Sequence, residues 1–118
     1  MLTRMHEFAI AKNIVTIAEE YARGEGKSRI TGVNLEIGAF AGVMLETLHY
    51  AMDACAKDTM LEGAEIHIDS IAGTGQCRDC GQVFPLDGPV SPCPACGSFR
   101  FDIRTGRELR IRSLIVEP

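Results

Sequence analysis

Cys77-Arg-Asp-Cys80-Gly81 and Cys93-Pro-Ala-Cys96-Gly97 form two CxxCG turns with twelve residues between Cys80 and Cys93, and no other feature constrains the chain as strongly. Two cysteines three apart, followed by glycine, let the backbone curl around one ion. Two such knuckles supply the four thiolates of a closed tetrahedral site, the donor set of structural zinc. A closed site has no open position for a catalytic water. The fifth cysteine, Cys55, is remote from the knuckles and on the apolar face of a helical pattern, where a small buried hydrophobe is expected.

The remainder of the chain sets the context for that site. Its 118 residues, 46% hydrophobic and 24% charged, suit one soluble domain, or a small domain carrying a metal-stabilised insert. No apolar run approaches the roughly 20 residues of a membrane span, and the N-terminus lacks a signal-peptide layout, so a cytoplasmic, non-membrane protein is expected. In a reducing compartment an odd number of cysteines argues against a disulfide framework and for metal binding. Residues 1–72 hold six Lys or Arg against eleven Asp or Glu, and residues 73–118 six against five. Neither part has the basic excess that nucleic-acid binding favours.

Periodicity places the elements. Ile10, Ile14, Ile17, Ala18 and Tyr21 recur at helical spacing between Glu7 and Arg23, stopped by Gly24 and Gly26. Val33, Leu35 and Ile37 alternate as in a strand over 30–37. A second helix is expected over 45–57, with Leu45, Leu48, Met52 and Cys55 on one face. A second strand follows over 64–71, with His67 outward, and a last strand over 108–116 carries Leu109, Ile111 and Ile115 opposite Arg110 and Arg112. The expected fold is α/β: a small two-helix, three-stranded mixed-sheet domain (1–72 plus 106–118) with an inserted zinc-ribbon-like module (73–105). Four of the five prolines fall in that module, which has few aliphatic residues, so its stability must come from the ion.

Three function classes are compatible with these features: a metal carrier, a zinc-ribbon nucleic-acid binder using arginines such as Arg78 and Arg100, and a rubredoxin-like electron carrier with iron in the knuckles. Gly26-Lys27-Ser28 imitates the end of a phosphate loop, but it follows a helix and Tyr21 stands where the first glycine is required. No GxSxG motif or paired acid/base constellation is present, so the chain is not expected to be an enzyme.

Met5-His6-Glu7 precedes the first helical pattern, where an imidazole can join backbone nitrogens on an ion. By itself that is an ordinary surface histidine beside a helix-start glutamate. Together with Leu35-Glu36-Ile37-Gly38, Gly42-Val43, Glu46 and Leu48, both knuckles, Cys96-Gly97-Ser98 and Gly106-Arg107-Glu108-Leu109, it resembles the HypA/HybF family of hydrogenase nickel-incorporation proteins over residues 5–111. The resemblance implies a metallochaperone that binds transferable Ni(II) at His6, with Glu7 as a further candidate. It also implies one structural Zn(II) at Cys77, Cys80, Cys93 and Cys96. Nickel would pass to the [NiFe]-hydrogenase large subunit with a HypB-type GTPase as partner; some members serve urease maturation, and a homodimer is compatible. In the family the histidine is typically the second residue, so that the terminal amine can join the nickel. Here Met1–Arg4 precede Met5, which offers an amide nitrogen unless translation begins at Met5. His49 and His67 are reserve ligands only.

Overall fold

The computed structural model describes residues 2–88 and 90–117. In chain order the elements are α1 (Leu2–Gly24), β1 (Arg29–Gly38), α2 (Leu45–Ala56), β2 (Glu65–Ile71), β3 (Thr74–Cys77), β4 (Val83–Pro85), β5 (Phe101–Thr105) and β6 (Leu109–Glu117). The strands form two three-stranded sheets, ordered β2-β1-β6 and β4-β3-β5. The chain divides into two compact units: Met1–Leu35, Val43–Asp69 and Arg110–Pro118 in the first, Glu36–Gly42 and Ser70–Leu109 in the second.

Helix α1 begins at Leu2, earlier than the repeat starting at Glu7 indicates. Residues 2–6 contain no glycine or proline to break it, although they carry no readable apolar repeat. His6 therefore lies inside the helix and not ahead of it. The buried stripe is also rotated from the expected one. Glu7, Ala11, Ile14, Val15, Ala18 and Ala22 face inward, whereas Ile17 and Tyr21 are 55% and 62% exposed. Alanines are weak markers of a core in a sequence, yet their small side chains let a neighbouring helix approach closely. On α2 the buried positions are Leu48, Ala51, Met52 and Ala56, with Cys55 half-buried. Lys27 N–H donates to Ala22 O and Gly26 N–H to Arg23 O, so the Gly26-Lys27-Ser28 stretch is a helix-ending turn.

Ile30, Val33 and Leu35 of β1 are fully buried, with Leu61 and Ile66 from the α2–β2 segment. Thr31 with Ile115, and Asn34 with Ser113, pair in opposite order, so β6 runs antiparallel to β1. Ile30 to Met60 and Ala39 to Ile71 advance together, the sense of a parallel neighbour reached across α2. The sheet is therefore mixed. The expected face of β6 is corrected at two positions: Leu109 and Ile115 are 44% and 57% exposed, while Leu114 and Val116 are half-buried. Gly32 leaves a gap on the open face, and the Ile115 side chain fills it: a Cβ on Gly32 would sit 2.9 Å from Ile115 Cδ1.

The second unit pairs β3 antiparallel with both β4 and β5. Its core is small and aromatic. Phe84, Leu86, Cys77 and Cys93 are buried, with Phe40, Phe101 and Ile103 packed against them. The Phe84 and Phe101 rings meet edge to face at 5.8 Å and 78°. Counting aliphatic residues alone underestimates this cluster. No helix among the described residues is long and apolar enough to cross a membrane.

Within this unit Gly106 occupies a point of close approach. Its φ is +119°, and a Cβ there would lie 2.7 Å from Phe40 Cδ2 and 2.9 Å from Gly73 Cα. A Cβ on Gly38 would in turn overlap the Gly106 carbonyl. The backbones interlock here: Phe40 N–H donates to Gly106 O at 2.6 Å, Gly38 N–H to Glu108 O at 2.7 Å, and Gly106 N–H to Glu108 Oε1 at 2.7 Å. Gly106→Ala should destabilise the protein by about 2 kcal/mol or more, combining left-handed strain with the clash against Phe40. Gly24→Ala, whose new methyl meets nothing within 4 Å, should change stability by less than about 0.5 kcal/mol. Urea unfolding of the two variants beside wild type measures the difference.

Candidate metal centre

Each knuckle closes in the same way. Cys77 N–H donates to Gln82 O and Gly81 N–H to Cys77 O; Cys93 N–H donates to Ser98 O and Gly97 N–H to Cys93 O. Gly81 and Gly97 have φ of +78° and +77°, the left-handed conformation that lets the chain turn back beneath the sulfurs. The result brings Cys77, Cys80, Cys93 and Cys96 together, every sulfur within 4.8 Å of the others.

The spacing fits a metal. A tetrahedral ion with bonds of about 2.3 Å to sulfur sets its ligands about 3.8 Å apart. Cys77 Sγ to Cys96 Sγ is 3.6 Å, and Cys80 Sγ to Cys93 Sγ is also 3.6 Å. These separations are far beyond a disulfide bond of about 2 Å, and all five cysteines are free thiols. Cys77 and Cys93 are buried while Cys80 and Cys96 are exposed, so one flank of the cage meets solvent.

Side chains tie the knuckles to each other and to β5. Ser98 Oγ donates to Asp79 Oδ2 at 2.5 Å and accepts from Arg100 N–H at 3.0 Å. Arg78 donates to Asp102 Oδ1 through Nε at 3.0 Å and Nη2 at 2.6 Å. That pair raises the Arg78 pKa and lowers that of Asp102, chiefly through the hydrogen bond itself. Sequence reasoning missed these four residues as supports of the site. Asp79 is visible inside the first knuckle, but nothing in the linear sequence pairs it with Ser98 nineteen positions on.

Without a cation, the thiols divide their protons unevenly. The Cys80 N–H donates to Cys77 Sγ at 3.4 Å and is the largest influence on it; burial opposes, the Asp79 N–H assists, and Cys77 comes down to about 7. The Ser98 N–H favours the Cys96 thiolate, but the Cys77 sulfur, burial and the other thiols outweigh it and push Cys96 up to about 12. Cys80 is raised as well: the Gln82 N–H favours its thiolate, but burial, Cys93 and Cys77 prevail. Each shift reflects adjacent sulfurs that cannot all ionise together without a positive partner.

His6 lies elsewhere, exposed on α1. Glu7 is fully buried, and its Oε2 accepts the Met44 N–H at 2.8 Å. Adjacent helix positions diverge by roughly 100°, so the two side chains leave α1 in different directions. His49 Nε2 contacts Ile66 O at 3.1 Å and Nδ1 approaches Asp53 Oδ2 at 3.8 Å. His67 Nε2 contacts Asp69 Oδ1 at 3.0 Å, and Arg112 approaches the same carboxylate at 3.6 Å. Among the described residues, the four cysteines are the only group of three or more His, Cys, Asp or Glu with ligand atoms close enough to share an ion.

A cation binding all four thiolates must displace the protons held on Cys80 and Cys96, and below about pH 7 one on Cys77 as well. Affinity should therefore rise with pH and fall increasingly steeply as pH drops through about 7. Calorimetric Zn(II) titrations in buffers of different ionisation enthalpy should show release of about two or more protons per ion at pH 8. A pH-independent affinity would contradict the proton distribution described.

The family model described as "Hydrogenase/urease nickel incorporation, metallochaperone, hypA" matches residues 5–116. The chain is 42% identical over 113 residues to the hydrogenase maturation factor HypA of Geobacter metallireducens, covering 96% of this chain and 100% of that protein. It is 43% identical to the HypA of Parabacteroides distasonis, covering 96% of this chain and 98% of that one. The solution structure of the Ni metallochaperone HypA from Helicobacter pylori shares the fold, with a TM-score of 0.68, 22% identity, and coverage of 93% of this chain and 96% of that one. A second HypA solution structure gives a TM-score of 0.74 at 23% identity, covering 96% and 97%. With a match of this extent over both knuckles and the N-terminal Met-His-Glu, the chain belongs to the HypA family of hydrogenase and urease nickel-incorporation metallochaperones.

Proposed function

We propose that the chain is a cytoplasmic two-metal protein. Cys77, Cys80, Cys93 and Cys96 hold one structural Zn(II), and His6 takes up Ni(II) for delivery to the large subunit of a [NiFe]-hydrogenase. A HypB-type GTPase is the partner consistent with the absence of a phosphate loop over 26–28. The observation that carries this reading is the contrast between the two donor sets: four convergent sulfurs in one unit, and an exposed imidazole at the start of α1 in the other. Thiolate cages suit zinc, while nitrogen-rich square-planar ligation suits Ni(II), so ligand type and geometry sort the metals. A cargo site must also release. An imidazole at a helix start exchanges its ion more readily than a closed tetrathiolate whose ligands come from two knuckles. The module 73–105 serves as the zinc-binding part, and carriage rather than catalysis is the role.

Nickel titration of the zinc-loaded protein should show uptake that His6→Ala weakens by at least about tenfold, with zinc content unchanged by elemental analysis. Equal binding by the two proteins would remove His6 from the site. Because the free energy of binding a structural zinc is folding free energy, chelation should also expose residues 77–101 to limited proteolysis while α1 and α2 stay protected. Unchanged protection of 77–101 would refute the structural role of the ion.

A further inference from the structure

Glu7 is the one charged residue that is fully buried among the described residues. Its Oε2 accepts the Met44 N–H at 2.8 Å, and its Oε1 has no hydrogen-bond partner among the described residues. Met44 is the N-cap of α2, and no side chain caps the helix from that position, because a thioether cannot serve as a capping carboxylate or hydroxyl. The carboxylate from α1 thus supplies the acceptor that α2 lacks, at the end where its backbone N–H groups and dipole favour negative charge. Phe8 packs edge to face against Tyr50 of α2, ring centroids 6.1 Å apart and planes at 86°. Two consecutive residues fasten this turn of α1 to the first turns of α2. His6 stands one position upstream, exposed, its side chain making no hydrogen bond or ion pair among the described residues.

Resting on the nickel reading above, we propose that Glu7 is a positioning residue and that its side chain stays outside the nickel ligand set. A ligand carboxylate would have to reach an ion held by an exposed imidazole. The Glu7 carboxylate is closed off from solvent and already engaged, and leaving its place would strand the Met44 N–H. Seated there, it fixes the helical turn whose backbone presents His6. The Glu of the Met-His-Glu triplet is on this view a latch, and the His a ligand.

The test uses the full zinc-loaded chain with Glu7→Gln, Glu7→Ala and His6→Ala. Nickel affinity, the visible ligand-field spectrum of the nickel complex and hydrogen exchange of the Met44 amide are measured together. Gln keeps an acceptor oxygen, so Glu7→Gln should retain the wild-type spectrum, nickel affinity within about threefold, and Met44 protection. Glu7→Ala should speed Met44 exchange by about tenfold or more and weaken nickel by about tenfold through the less populated binding geometry, with the spectrum of the residual complex unchanged. A shifted spectrum and lost nickel in Glu7→Gln, with Met44 still protected, would make the carboxylate a ligand and overturn the proposal. So would Met44 exchange or nickel affinity that Glu7→Ala leaves untouched. If His6→Ala binds nickel like wild type, the nickel reading falls and the positioning role falls with it, an outcome set apart by the His6 variant alone.

Discussion

Four sulfurs within 4.8 Å of one another form an arrangement that protons alone satisfy poorly. The Cys80 N–H holds Cys77 down, while the Cys77 sulfur and burial outweigh the Ser98 N–H and push Cys96 up, so the two sit on opposite sides of the ordinary thiol range although their sulfurs are 3.6 Å apart. A divalent cation resolves the conflict in one step, and the rest of the second unit is arranged so that it can. Two matching turns deliver the sulfurs, Asp79 and Ser98 join one turn to the other, and the sheet β4-β3-β5 fixes where the first turn begins. The aromatic cluster of Phe40, Phe84 and Phe101 is too small to be a sufficient core alone. An ion held by the four thiolates would complete the core that the apolar contacts begin.

The first unit solves a different problem. Both helices bury alanines, Ala11, Ala18 and Ala22 on α1 and Ala51 on α2. At the start of α2 backbone N–H groups need acceptors. A buried carboxylate meets that need, but burying one costs several kcal/mol unless it is hydrogen-bonded. Among the described residues Glu7 makes one such bond, and one of its oxygens is left without any. A buried acid with a vacant oxygen is a poor way to gain stability. Its position beside His6 gives a more specific reason for placing it there.

The metal cage was legible because its signal is local: ligand identity and spacing are fixed within five-residue turns, and the doubled CxxCG states them directly. The strands β1, β2 and β6 and both helices were legible from periodicity for the same reason. What was not legible depends on pairs remote in sequence. Alanine is ambiguous between surface and core until the opposing helix is known, so the buried stripe of α1 was misread toward Ile17 and Tyr21. Ile115 was assigned inward because its outward place depends on the missing side chain of Gly32, 83 positions away. The small strands β3, β4 and β5 carry no periodicity long enough to read.

The residues shared with the family separate into two kinds once their surroundings are known. Gly106 is required by a backbone crossing that admits no Cβ, Glu108 accepts the Gly106 N–H, Gly97 turns a knuckle, and Ser98 bonds Asp79. Each would be needed in any protein of this fold, whatever it did with a metal. His6 and Arg107 differ: both are exposed, and among the described residues the side chain of neither takes part in a hydrogen bond or ion pair. Architecture accounts for the first group and leaves the second unexplained. A residue that the fold does not use, inside a motif that the fold otherwise accounts for, has its physical reason in something from outside the chain. For His6 the chemistry of imidazole is what supports the metal-ion reading proposed above.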